Sequence, residues 1–468
     1  MKTTTAECAF QALGARRAPW AGALLLSASL VTLGGQARAD ESLANRDGSR
    51  LAPALLLLEA DSSDAPIELA QTVPAPGQPA APAAWADTLT VGGHLEAGIT
   101  GNPDAPADRR NFGRLFDDHA NIPVVNQLWG TIQRLTDPHA AGWDFGFKID
   151  AVFGTDARFL HLYNQFDHAI DSSYQLALYD ASALIHVPGV GEGGTDVMVG
   201  VFGSPLGFEQ ADPTANSGFS FYSHSYISNF GVPSQHTGFL TTTHITSVID
   251  LIFGLDTGAN AWLGEGGLNN DTVLHGIAGL GLNLDNLMLS GFTHIGPENP
   301  ENVFGAAANS GLRYMNDFFL TWKVNDKVTL NTELNYVHDD LLKASGYGGA
   351  QYFAYAINDI LTFGVRGEIW RDNNGAFVAS FKNPFDFINS ERGLPTSPGG
   401  VVGGGRTTYG ELTLGLNIKP PVPKAFQGFV IRPELRFDDA LNGTKPFIAG
   451  TQGHQVTLAA DFILPFSL

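Results

Sequence analysis

From residue 88 to the C-terminus the chain alternates apolar and polar residues with a period of two, the mark of strands whose two faces meet different surroundings. In 428–438 (GFVIRPELRFD), Phe429, Ile431, Pro433, Leu435 and Phe437 fall on one face, with Val430, Arg432, Glu434, Arg436 and Asp438 on the other. In 360–370, Leu361, Phe363, Val365 and Ile369 oppose Thr362, Arg366, Glu368 and Trp370. Residues 143–153 set Phe145, Phe147, Ile149 and Phe153 against Asp144, Lys148 and Asp150, and 328–338 set Leu330, Leu334 and Tyr336 against Asn331, Glu333 and Asn335. The pattern predicts sixteen strands: 88–100, 122–135, 143–153, 174–187, 195–203, 234–245, 248–257, 273–284, 287–296, 314–324, 327–338, 351–357, 360–371, 407–418, 428–438 and 454–468.

A soluble β-sandwich also alternates, so the connectors decide. Those after odd-numbered strands are long, including 204–233, 339–350 and 372–406, while those after even-numbered strands are short, often turn pairs such as Asp285-Asn286 or Asn325-Asp326. Long loops at one end and short turns at the other are the layout of a transmembrane antiparallel β-barrel, with short periplasmic turns and long extracellular loops. The runs at 219–230 and 375–381 inside the long loops are apolar enough to be further strands. The last segment alternates up to Phe466 and ends on Leu468, close to the terminal aromatic on which such barrels usually finish.

Composition agrees with a barrel in lipid. Only 16% of residues are charged, against about 25% in soluble domains, because a charge on the lipid face costs about 2–4 kcal/mol at the bilayer midplane. No run of eighteen apolar residues offers a membrane-spanning helix. The net charge of −21 excludes a nucleic-acid binder, which needs a basic face. Residues 1–39 read as a cleaved signal peptide: Lys2, Arg16 and Arg17 precede an apolar stretch at 20–33, and Ala37-Arg38-Ala39 forms the cleavage site. The single cysteine, Cys8, lies in that segment, so no thiol or disulfide remains in the exported chain. Residues 40–87 are Ala- and Pro-rich and read as a periplasmic linker or arm, with 88–468 as the barrel.

Several strings resemble a known family. GGHLEAGITGNPDAP and FGRLFDD, near the first strand, FGFKIDAVFGTDARF (145–159), and FYSHSY (221–226) followed by His236-Thr237-Gly238 are similar to segments of the OmpL-like β-barrel porin family. The resemblance implies a channel-forming protein of the bacterial outer membrane. Expected partners are outer-membrane lipid, lipopolysaccharide and small hydrophilic solutes, with a homotrimer by analogy to sixteen-stranded porins. No cofactor and no metal are expected.

Facing makes Lys148, Asp150, Glu333, Arg366, Glu368, Glu411, Arg432, Glu434 and Arg436 candidates for the pore lining. Opposed rows of arginine and carboxylate either set up a transverse field across the pore or neutralise one another as salt bridges along its wall. The 204–233 loop, carrying Glu209 and Asp212, is placed like the constriction loop of porins, with an ordinary outer loop as the alternative. The pairs Asp117-Asp118, Asp339-Asp340 and Asp438-Asp439 are either solvated loop charge or cation sites. Two other readings stay open: a hydrolase using the His338-Asp339-Asp340 string at the rim, and an envelope tether built on the 40–87 arm.

Overall fold

The computed structural model describes residues 85–138, 140–215, 219–262 and 274–468. The signal segment and nearly all of the linker lie outside these residues. The strands are β1 (Thr90–Gly101), β2 (Pro123–Arg134), β3 (Asp144–Gly154), β4 (Gln175–Val187), β5 (Thr195–Gly203), β6 (Gln235–His244), β7 (Ile249–Ala259), β8 (His275–Leu284) and β9 (Leu287–Gly296). They continue with β10 (Arg313–Asn325), β11 (Val328–Asp339), β12 (Ala344–Ala356), β13 (Leu361–Asp372), β14 (Ala379–Phe381), β15 (Val401–Gly403), β16 (Thr407–Ile418), β17 (Val430–Ala440) and β18 (His454–Ser467).

Every strand except β14 and β15 belongs to one closed antiparallel barrel of sixteen strands, with neighbours paired in chain order. Closure comes from β1 lying antiparallel to β18, with Leu95 opposite Leu464 and Gly101 opposite Leu458. Closing the sheet pairs backbone groups that an edge would leave facing hydrocarbon, where each would cost several kcal/mol.

All sixteen expected strands are present, and the structure corrects two details. β12 begins at Ala344 where the pattern suggests 351, so the connector before it shrinks from an expected long loop to 340–343. Its first half, ASGYGGA, is too glycine-rich to display alternation, yet Gly346 pairs with both Val337 and Asp372 as any strand residue would. The 375–381 run adds no barrel strand: β14 pairs with β15 as a separate hairpin inside the loop between β13 and β16. The 219–230 run forms no strand either and ends in a π-helical turn at Ile227–Gly231.

The two faces differ as the pattern requires. Outward positions carry large exposed apolar side chains around the circumference, among them Leu128, Phe253, Leu334, Leu412 and Leu458. Trp143, Trp322, Tyr355 and Phe466 lie at the short-connector ends of their strands, where aromatic girdles meet the bilayer interface. Inside, the long-loop half of the barrel is filled by its loops. Phe112, Phe116, Phe159, Leu160, Tyr226 and Phe447 are buried in two apolar clusters, with Tyr226 stacked on Tyr409 at 4.7 Å.

Leu334 is 54% exposed on the outward face near the middle of β11. Leu334→Arg is expected to destabilise the bilayer-embedded barrel by about 2–4 kcal/mol, read by urea titration in lipid vesicles, with Leu334→Ala costing clearly less.

Candidate functional site

The loop 204–234 between β5 and β6 enters the barrel and is fastened to the wall by side chains from the opposite strands. At its start, the Gly207 N–H donates to Asp317 Oδ2 at 3.0 Å and the Phe208 N–H to Glu333 Oε1 at 2.9 Å. At its tip, the Tyr222 and Ser223 N–H groups donate to Glu434 Oε2 at 2.9 and 3.1 Å. Tyr226 and Ile227 N–H donate to the Glu368 carboxylate at 2.7 and 2.9 Å. Three carbonyls of the loop accept from wall arginines: Phe221 from Arg432 (2.8 Å), Ser223 from Arg366 (2.7 Å) and His224 from Arg436 (2.6 Å).

These bonds have a simple cause. A loop drawn off the sheet leaves backbone donors and acceptors without ladder partners, and buried ones must be satisfied elsewhere. Ionised side chains make the stronger hydrogen bonds available for this. Wall glycines supply the room: Gly364 and Gly415 are paired on β13 and β16. A Cβ on Gly364 would lie 2.2 Å from the Phe219 ring, and one on Gly415 would lie 3.1 Å from Phe221.

The same arginines are neutralised by carboxylates. Arg366 meets Glu411 at 2.8 Å and Glu209 of the loop at 2.6 Å. Arg432 sits between Glu96 (2.5 Å) and Asp461 (2.6 Å). Arg436 pairs with Asp438 at 2.8 Å, and Asp438 also binds Arg114 of the first long loop at 2.6 Å. Of the nine sequence-derived wall candidates, Asp150, Glu333, Arg366, Glu368, Glu411, Arg432, Glu434 and Arg436 are buried. Lys148 is the accessible one, 34% exposed and 2.9 Å from Asp150. Glu209 is drawn into the loop clamp, whereas Asp212 stays partly exposed, 3.6 Å from His94 Nδ1.

Of the acidic pairs, Asp340 is exposed and Asp439 half-buried, while the other four carboxylates are buried and paired with arginines. Asp117 binds Arg114, Asp118 binds Arg110 and Arg158, Asp339 binds Arg313, and each of these carboxylates is buried. Within the His338-Asp339-Asp340 string, His338 does not meet Asp339, and its Nε2 lies 3.3 Å from the exposed Asp340. Strand alternation turns Asp339 inward, toward Arg313 and Asn299, and leaves His338 on the outward face beside Ser345.

Two recesses flank the loop. One, of about 490 Å³, reaches Asn331, Phe353 and Ala354 in the short-connector half of β11 and β12. The other, of about 350 Å³, reaches Tyr179, Ser204 and Ser234 nearer the long-loop end. Both are lined by Glu209, Gln210 and His224. Burial pushes the Glu209 carboxyl up, but Arg366, His224 and the Ser225 N–H outweigh it and hold the group below its ordinary range. Burial pushes the His224 imidazole down to about 4, so the docked ring is neutral at pH 7. Sequence reasoning missed Gln210, His224, Glu96 and Asp461. The last two share the inward parity of their strands and could be found by facing, but the loop residues carry no periodic signal.

Removing the Arg366 guanidinium leaves Glu209 and Glu411 buried without their cation. Arg366→Leu is expected to cost roughly 3–5 kcal/mol in denaturant unfolding, with chymotryptic cleavage at the loop's Phe and Tyr residues appearing in the folded barrel.

Among solved structures, the fold is similar to an anion-selective porin from Comamonas acidovorans at 9% identity, covering 81% of this chain and 98% of that one with a TM-score of 0.50. It is also similar to the outer membrane channel DcaP of Acinetobacter baumannii (10% identity, 81% and 96% coverage, TM-score 0.46) and to Salmonella typhi OmpF complexed with daunomycin (8%, 81% and 97%, 0.49). No curated protein matches the sequence. The family described as "Putative beta-barrel porin-2, OmpL-like" matches residues 88–466, from just before β1 to near the end of β18. The chain belongs to that family, and it is an outer-membrane channel.

Proposed function

We propose that the channel conducts small hydrophilic solutes and ions by passive diffusion, through a constriction made by the loop 204–234 with Glu209, Gln210 and His224 at its narrowest level. The observation that carries this reading is the clamp: wall residues on β10, β11, β13 and β17 hold the loop across the lumen, and the recesses on either side share those three residues. In this reading Glu333, Arg366, Glu368, Arg432, Glu434 and Arg436 line the channel as the frame that positions the loop, and Glu411 supports Arg366. Lys148 is the accessible wall residue, held by the buried Asp150, and Asp212 stands beside the constriction.

Selectivity is weak in this reading. The Glu209 charge is matched by Arg366, His224 is neutral, and each wall arginine of the clamp has its own carboxylate. The even strand count puts both barrel ends at the short-connector side, which we assign to the periplasm, with the long loops outside. Residues 1–39 then serve as the cleaved export signal and 40–87 as the periplasmic arm. Lipid and lipopolysaccharide surround the apolar belt, and a homotrimer is the expected assembly.

Single-channel recording of refolded mature protein in planar bilayers is expected to show discrete open steps and reversal potentials near zero in a KCl gradient. Absence of any steps would overturn the channel mechanism. Replacing 207–231 by a short Gly-Ser link is expected to raise the conductance, whereas an unchanged conductance would remove the loop from the constriction.

The neutral form of His224 favours the docked loop. That contribution is complete above the ordinary histidine value of about 6.5 and is lost as the pH falls through about 4. Acidification across this window should add a positive charge at the narrowest level and shift the reversal potential toward anions. His224→Asn should abolish that part of the shift.

A further inference from the structure

We propose that His236, Asp256 and His294 bind one divalent transition-metal ion of the zinc or nickel class at the long-loop end of the barrel wall. The residues come from β6, β7 and β9, each at an inward position near the same end of its strand. Their donor atoms converge: His236 Nδ1 lies 2.9 Å and His294 Nε2 3.1 Å from Asp256 Oδ2, and all three side chains are buried.

The internal contrast within this wall carries the argument. At the short-connector end of β4–β7 another His–Asp row is held by ordinary hydrogen bonds. There His186 Nδ1 meets Asp196 at 2.7 Å, and His244 meets Asp196 at 3.1 Å and Asp250 at 2.6 Å. At the long-loop end His294 Nε2 is held in that way, by both Asp256 oxygens at 3.1 Å, but other ring nitrogens are not satisfied. His236 Nδ1, His275 Nδ1 and His294 Nδ1 are buried without a hydrogen-bond partner. His236 Nδ1 has a carboxylate oxygen at 2.9 Å that stands off the axis of the ring nitrogen. That is a poor position for an acceptor and a good one for a second ligand of the same ion. Two donors each about 2.1 Å from one metal stand about 3 Å apart at a right angle and about 3.4 Å apart at the tetrahedral angle of zinc, a few tenths of an ångström beyond the distances here.

The surroundings orient the rings as metal sites require. His236 Nε2 is 3.1 Å from Ser204 Oγ, so a proton held on that nitrogen leaves Nδ1 bare toward Asp256. Glu298 lies 3.6 Å behind His294 at Nδ1. His275 donates from Nε2 to the Pro297 carbonyl at 2.9 Å, and its Nδ1 is 4.0 Å from Asp256 Oδ1. Two imidazoles and one carboxylate suit zinc, nickel or copper and not magnesium or calcium, which take mainly oxygen ligands.

The test uses the refolded mature chain in detergent, stripped with chelator and titrated with Zn²⁺ by calorimetry. One site is expected, weakened at least about tenfold by His294→Ala and by Asp256→Asn, and retained in His244→Ala. Barrel formation in each variant is checked by the mobility of unheated protein on gels. If the site variants do not fold, the unaltered protein decides through its Co²⁺ visible spectrum, where bands of a bound, nitrogen-ligated ion are expected. Absence of those bands, or equal Zn²⁺ affinity in folded His294→Ala, would overturn the proposal and leave a hydrogen-bonded His–Asp network. The conductance of the chelated protein reports on the channel separately.

Discussion

A sheet in hydrocarbon has no water to satisfy an open edge, and the closure of β1 onto β18 answers that constraint. Much else follows from it. A closed sheet has one face in lipid and one face inside, so strand residues that carry charge are driven inward. The wall of β11, β13, β16, β17 and β18 accordingly carries Glu333, Arg366, Glu368, Glu411, Arg432, Glu434, Arg436, Asp438 and Asp461 within a small arc. Charges at that density must be paired or hydrogen-bonded, since an unpaired buried charge is strongly destabilising.

The inward loop answers the need from the other side. Its backbone groups lie off the ladder and lack partners, and the wall has ionised groups in excess. Glu333, Glu368 and Glu434 accept loop N–H groups, while Arg366, Arg432 and Arg436 donate to loop carbonyls. Of the two readings offered for these arginines and carboxylates, the contacts are those of mutual salt bridges, and the same wall also holds the inward loop. The abundant glycine has a matching role where Gly364 and Gly415 make space for Phe219 and Phe221.

The strands were legible because period-two alternation is a local property that lipid on one side enforces strongly. β12 shows where this fails: ASGYGGA has too few large side chains to display two faces, and only its partners on β11 and β13 extend it to Ala344. Facing was legible as well, so the wall candidates were found by parity alone. Their contacts were not. Arg432 meets Glu96 from 336 residues away and Arg366 meets Glu209 from 157 residues away, and no periodicity connects such positions. His338 and Asp339, adjacent in the sequence, are separated by the alternation that places them on opposite faces.

By itself the sequence determined the fold class, the number of barrel strands, the lipid-facing belt and the inward set of charges, because each follows from burial along a single strand. The tertiary structure alone decided which inward residues touch, that the 204–234 loop is held by backbone hydrogen bonds to the wall, and that His236, Asp256 and His294 meet at one level. Those contacts depend on strand register and on how the ring closes. Both are set by pairing energies summed around the whole barrel, and no single stretch of the chain contains them.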